Sequence, residues 1–305
     1  MYGRLHSVFR RLPPSWRTGI KRSLGVQGHG RGKLDWLTAR KDALGKKRLD
    51  RALAGVVNSL GPELVPTVAG KVCIDFGAGY VPTDGVALWI LGADRVYGID
   101  YNDIAKPKEV ARAILTADWA DLERQLETLA INTQDWRKRL DEVKRWADSA
   151  VANFPPGYTY LAPLDVIASP SNVPAYDLVL STSVLEHIPP SKLVPLLDAL
   201  QVRAREDAVH VHRVDLRDHR DFVNNPYGFL ASDSDFDAEA DADSRGNGMV
   251  LIDWQELLAQ NAKWNLIVRD FEVGRPHLVP QSAMHRSTGI VADSLILQSR
   301  TTSDS

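Results

Sequence analysis

The sequence predicts an α/β fold: a mostly parallel, seven-stranded sheet with helices on both faces. Three observations carry that prediction. From Lys71 onward, short apolar runs rich in β-branched residues alternate with segments whose apolar residues recur every three or four positions. The first run enters a turn containing Gly77 and Gly79, and a helical segment follows. The first three runs end on acids, Asp75, Asp100 and Asp165. Ligands of open α/β sheets gather at the carboxyl ends of the strands.

The elements follow in order. Met1 to Lys33 carries eight Lys/Arg and no acid, with Leu5, Val8, Phe9 and Leu12 at helical spacing. Pro13-Pro14 ends that helix early. Residues 1–60 are expected as a basic helical extension, either a mobile arm or a helix on the core. The sharper alternative is a peripheral contact with anionic lipid, an acidic substrate or an acidic partner. Residues 61–305 form the main domain. "KVCIDFG" is a buried strand, and "TDGVALWILGA" is a helix stopped by Gly92. Asp94–Asp100 is the second strand. The segment 106–155 is a helical insertion, with Asp121–Phe154 reading as two helices. Thr159–Asp165 is the third strand and Tyr176–Ser183 the fourth, followed by a helix around Ser191–Arg203. Asp207–Asp215 is the fifth strand, and Trp264–Val273 and Gly289–Arg300 supply the last two. Between them, 216–253 is a long loop with acids at 233, 235, 237, 239, 241 and 243. A calcium loop would need glycine sixth and glutamate twelfth. Counting from Asp233 or from Asp241, the pattern fails. The segment is then a solvated loop, or a lid over a cleft.

Bulk composition excludes several classes. The 305 residues are 44% hydrophobic and 25% charged, with net charge −2, so the chain has no nucleic-acid signature. Its single cysteine, Cys73, lies in an apolar run; an internal disulfide and a cysteine zinc cluster are excluded. No run of about 18 apolar residues spans a membrane, and the basic N-terminus lacks the apolar core of a signal peptide. The expected location is cytoplasmic, with the inner face of a membrane as the alternative.

The strand ends carry the chemistry. A nicotinamide-type loop would place a third glycine where Pro82 stands. Pro82 suits a helix start instead, and no GxxxxGK[ST] phosphate loop occurs. A carboxylate at Asp100 suits two ribose hydroxyls. Asp165, with Val166 beside it, is placed to meet an exocyclic amine, or equally to cap a turn. "YDLVLSTSVLEHIPP" runs from a strand through a small polar turn to Glu186-His187.

Together "VCIDFGAGY", "VYGID" and "YDLVLSTSVLEHI" resemble the class I S-adenosylmethionine-dependent methyltransferases. The resemblance covers about Lys71–Asp215 and implies a Rossmann-like fold. It also implies S-adenosylmethionine as cofactor and S-adenosylhomocysteine as product. Carried over, Asp75, Phe76, Gly77, Ala78 and Gly79 hold the amino acid part. Asp100 and Tyr101 hold the ribose, Asp165 and Val166 meet the adenine, and Ser181, Thr182 and Ser183 lead toward the sulfonium. One departure is Val81, where the family's loop has a third small residue. A finer resemblance, extended by "HVHRVDLRDHRDFVNNPYGFL", is to subfamilies acting on carbohydrates and cell-surface glycan precursors.

Methyl transfer to a hydroxyl is helped by a general base, usually histidine. His187, His212 and His219 are the candidates, with Asp215 beside them. His210 and His212 share one side-chain direction on a strand, and with Asp215 and His219 just beyond, these three imidazoles and a carboxylate can converge near the methyl group. A divalent metal is the less favoured reading of that cluster, because the spacing matches no compact motif. The expected activity is O-methylation of a sugar or glycan precursor. The alternatives are another small-molecule O, N or C acceptor, a nicotinamide-dependent oxidoreductase, and a non-catalytic nucleoside-binding module.

Overall fold

The computed structural model describes residues 47–129, 131–149, 151–231, 234–280 and 291–299. The basic helix expected within residues 1–33 lies outside these.

Chain order begins with α1 (Leu49–Leu64), β1 (Val72–Phe76), α2 (Thr83–Ile90) and β2 (Arg95–Ile99). Three helices follow, α3 (Pro107–Leu115), α4 (Trp119–Thr128) and α5 (Thr133–Ala147), and then β3 (Tyr158–Leu161). β4 (Tyr176–Thr182), α6 (Pro190–Gln201) and β5 (Ala204–Asp215) continue the alternation. The chain closes with α7 (Ala238–Arg245), α8 (Leu251–Gln260), β6 (Leu266–Val273) and β7 (Ala292–Ser299). All seven predicted strands form one sheet, in the order β3-β2-β1-β4-β5-β7-β6. Pairings from β3 through β5 are parallel, and β7 runs antiparallel to both β5 and β6.

Helices cover both faces because the central strands are apolar on both. Cys73, Leu178, Leu180 and Val211 face a core with α1, α2 and the helical insertion. Ile74, Val179, Val214 and Leu297 face a second core with α6 and α8. On α1, Leu49, Leu53, Val56 and Leu60 form one fully buried stripe at helical spacing. This end of the expected N-terminal extension is therefore core. The chain kinks at Gly61 (φ 75°) ahead of Pro62, close to the expected domain boundary.

Two expectations change. The third strand stops at Leu161, so Asp165 lies in the turn beyond it and not at the strand's end. The acidic segment contains a helix: Asp237 caps α7, its Oδ1 accepting from the amides of Glu239 and Ala240 at 2.9 and 3.2 Å.

Candidate functional site

The site is assembled at the carboxyl ends of β1, β2 and β4, where the strand order reverses. Leaving β1, the chain turns through Gly77 (φ 71°) and Gly79 (φ 67°). The amides of Gly77 and Ala78 both donate to the carbonyl of Ile99, at 2.8 and 3.1 Å. The loop is thus tied to the end of β2. Gly77 also has no room for a side chain: a methyl group there would lie 2.3 Å from Val184 Cγ2.

Asp100 sits at the next position on that rim. Its Oδ2 accepts from the Gly79 amide at 2.8 Å, and its Oδ1 from the Asn102 amide at 2.8 Å. Each oxygen keeps lone-pair capacity for another donor. Burial raises its pKa, and the two amides pull the other way. Tyr101 beside it is 57% exposed, open to solvent. Leu164 N donates to Asp100 O at 2.9 Å, which brings the turn after β3 alongside. In that turn Asp165 Oδ1 accepts from Ala168 N at 3.0 Å, so Asp165 caps the turn, while Val166 is buried in the second core.

Asp75 is turned inward. Its Oδ2 accepts from Gly85 N at 3.1 Å and from the Tyr158 hydroxyl at 3.3 Å. It braces the loop against the start of α2. Burial, then the neighbouring Asp84, raises its pKa to about 7. Phe76 and Ala78 are buried beside it.

At the end of β4, Ser181 is buried and its hydroxyl meets His212 Nδ1 at 2.8 Å. Thr182 and Ser183 instead line a cavity of ≈ 330 Å³ with Arg213, Asp215 and Arg217. Ser183 takes a left-handed conformation (φ 57°), which lets the chain turn into a short 3₁₀ segment, Leu185–His187.

The four expected catalytic residues separate into two groups. His212 is fully buried in the sheet. Its ring lies 5.8 Å from that of His210, whose Nε2 meets the Tyr176 hydroxyl at 3.1 Å. Burial lowers the His210 pKa to about 4, and burial together with His210 lowers that of His212 to about 3. Both stay neutral in the core. The expected convergence of three imidazoles does not form, because His210 and His212 lie on the opposite face of β5 from Arg213 and Asp215, which line the cavity. His187 and His219 do meet, with ring centroids 4.7 Å apart. His219 Nε2 is 4.0 Å from Asp215 Oδ2. Asp215 itself holds Arg217 through two bonds, at 2.9 and 2.7 Å.

Glu186 completes this second group. It is 1% exposed. Neither carboxylate oxygen has a hydrogen bond of ordinary geometry, although its own amide, the Asp215 amide and Ser183 lie close enough to favour charge slightly. Burial raises its pKa to about 8. Glu186, His187 and His219 each present one donor atom, all within 4.8 Å of one another. The turn is held by Asn247, whose Nδ2 donates to the carbonyls of Leu185 and Ile188 at 3.0 and 3.1 Å.

Sequence reasoning named neither Glu186 nor Asn247 as a site residue. For Glu186 a signal existed, an acid next to a candidate histidine just past a strand. For Asn247 none did, since it arrives from sixty residues away.

The strand order with its reversed β7 decides the architecture. The fold is that of the class I methyltransferases. No protein-family model and no curated protein matches the sequence. Among solved structures, DhpI in complex with SAM and HEP is similar at 13% identity and TM-score 0.43, over 90% of this chain and 99% of that one. The methyltransferase domain of bacterial CtHen1 is similar at 15% identity and TM-score 0.42, over 84% and 98%. Magnesium protoporphyrin IX methyltransferase from Synechocystis PCC 6803, with bound SAH, follows at 15% and 0.41, over 84% and 82%. The assignment of the class I fold rests on this chain's own sheet order.

Proposed function

We propose that this protein transfers the methyl group of S-adenosylmethionine to a hydroxyl of a sugar or glycan precursor. The observation that carries the cofactor reading is the Asp100 carboxylate bonded to the Gly79 amide. It joins a side-chain-free cradle to an acid with spare acceptor capacity, which suits an amino acid end and a ribose. Gly77, Ala78 and Gly79 would take the amino acid part, Asp100 the ribose hydroxyls, and Val166 the adenine face. Asp75 supports the loop from behind. The bound cofactor supplies an electrophilic methyl on a sulfonium.

The acceptor site is the cavity beside Thr182 and Ser183. Its lining is polar and mixed in charge, with Arg213, Arg217, Asp215 and Glu272, which suits a hydroxyl-rich acceptor better than an apolar one. The proton leaves the acceptor toward the His187–His219 pair. Burial first, then His187, lowers the His219 pKa to about 4, so its imidazole is neutral at neutral pH but only a weak base. Asp215 is placed to stabilise the imidazolium that results. His212 positions Ser181 in the sheet and takes no proton from the acceptor. None of the described helices is long and apolar enough to cross a membrane.

Calorimetry on the full chain tests the reading. S-adenosylmethionine or S-adenosylhomocysteine should bind at micromolar strength, and Asp100→Ala should weaken binding by on the order of 10–100-fold, the loss of charge-assisted hydrogen bonds. Failure of both ligands to bind, or preference for NAD, would overturn it. Transfer of labelled methyl to a panel of saccharides then tests the acceptor class.

A further inference from the structure

We propose that Glu186, His187 and His219 form a buried site for one divalent transition-metal ion beside the acceptor cavity. Three independent features converge. The donor set is two imidazoles and one carboxylate, which suits borderline first-row ions such as Mn²⁺, Fe²⁺, Co²⁺ or Zn²⁺. The geometry is close. An ion with ligands at about 2.1 Å holds its donors roughly 3–3.5 Å apart, and these three lie within 4.8 Å. Small ring and carboxylate rotations bring them in. Finally, the carboxylate of Glu186 is 1% exposed and its oxygens lack ordinary hydrogen bonds. A buried acid left that way is costly, and a cation at the cluster satisfies it. Among the described residues no other three such groups come together.

The backbone around the ligands is held. Asn247 N donates to Glu186 O at 2.6 Å and its side chain fixes Leu185 and Ile188, while His219 N donates to Arg245 O at 3.0 Å. Asp215, 4.0 Å from His219 Nε2, lines the acceptor cavity and links the cluster to it.

The role of the ion rests on the methyl-transfer reading, and in it the ion takes the place of a free histidine base. One acceptor hydroxyl, or two neighbouring ones, fills the open positions. Lewis acidity lowers the hydroxyl pKa, and its proton leaves to solvent in the cavity. The oxygen lone pair forms the O–CH₃ bond. The S–CH₃ bond breaks with its electron pair returning to sulfur, and the neutral thioether departs.

The test is titration of chelator-stripped full-length protein with Co²⁺, followed by calorimetry and by visible absorption of the bound ion. One equivalent should bind, with a ligand-field band. Glu186→Gln, nearly the same shape, and His219→Ala should each lose on the order of 100-fold in affinity, at or above the effect of removing an outer-shell partner. Thermal melting shows whether each variant is folded. Asp100→Ala should bind Co²⁺ as the parent does while losing S-adenosylmethionine. Absence of saturable Co²⁺ binding, or equal affinity in a folded Glu186→Gln, overturns the metal site and leaves the cofactor reading standing. Co²⁺ binding without S-adenosylmethionine binding supports the metal site and removes the methyl-transfer reading instead.

Discussion

Gly77 and Gly79 look equivalent in the sequence, and the structure gives them different tasks. Both have positive φ, so an alanine at either costs about 1–2 kcal/mol in backbone strain. Only at Gly77 does an added methyl collide, 2.3 Å from Val184 Cγ2; at Gly79 the nearest atom is 3.8 Å away. Gly77→Ala should therefore lower the melting temperature more than Gly79→Ala. A Val184→Ala background should recover part of the first loss and none of the second. Equal effects in both backgrounds would refute the steric account. Residues of this kind were legible because a turn is local: glycines and the acid after the next strand declare themselves by spacing. Asp75 and His212 were not. Strand parity says that His210 and His212 point the same way, but not what lies on that face. Both faces of β5 are covered by helices arriving from elsewhere; His212 is buried against Ser181 on the face away from Arg213 and Asp215. Asp75 likewise reads as a ligand-facing acid until Tyr158, 83 residues later, appears beneath it.

The strands were legible as elements because apolar, β-branched runs mark buried parallel strands on both faces. Their order across the sheet was only implied by resemblance, since β7 enters between β5 and β6 by a route no local pattern encodes. The acidic segment was the hardest to read. Its acids resemble a solvated loop because the side chains that hold Asp235 and Glu239 lie outside the run. Arg245 donates to Asp218 through Nε at 3.2 Å and Nη2 at 2.5 Å, with Asp218 1% exposed. It also reaches Asp235 at 3.3 Å. Glu239 binds the amide and hydroxyl of Ser191 at 2.8 and 2.7 Å, anchoring α7 to the first turn of α6. The segment is a docked cover over the Glu186–His187 turn. Arg245→Met should leave the buried Asp218 with only the Arg220 amide at 2.9 Å and the Arg220 guanidinium at 3.9 Å, and destabilise the protein by about 1.5–3 kcal/mol. Adding Asp218→Asn should restore much of that loss. A double-mutant cycle by urea unfolding measures the coupling, and additive single effects would show that the pair does not hold the cover. Glu239→Ala removes two exposed bonds and should cost about 1 kcal/mol.

Across the whole molecule, buried titratable groups set how stability depends on pH. His210 and His212 are held at about 4 and about 3 by burial, against about 6.5 when unfolded. Below pH 6.5 the unfolded chain gains two protons that the native state refuses, so these groups lower stability as pH falls. Asp75 acts in the opposite sense. Its native pKa is about 7, against about 3.9 unfolded. Between those values the native state holds a proton that the unfolded chain has lost, so Asp75 raises stability as pH falls. His219, at about 4, acts as the two core histidines do, and Glu186, at about 8, acts as Asp75 does, so from pH 6.5 to about 4 three protons are taken up on unfolding and two released, a net of one. That predicts a loss approaching about 1.4 kcal/mol per pH unit once the unfolded histidines are fully protonated, and roughly 1 kcal/mol between pH 6.5 and pH 5 by the same relation. Urea unfolding at the two pH values, in chelator, measures it. Asp75→Asn keeps an acceptor for Gly85 and Tyr158 but removes the offsetting proton. It should steepen the fall toward about 2.7 kcal/mol per unit by the two-proton slope. A variant with the parent's slope would mean that Asp75 holds no extra proton in the native state, and a parent whose stability is flat over this range would mean that the sheet does not hold these histidines neutral. The pairs Tyr176–His210 and Ser181–His212 would then have to be solvated in the native state, in conflict with the closed core on which the site is built.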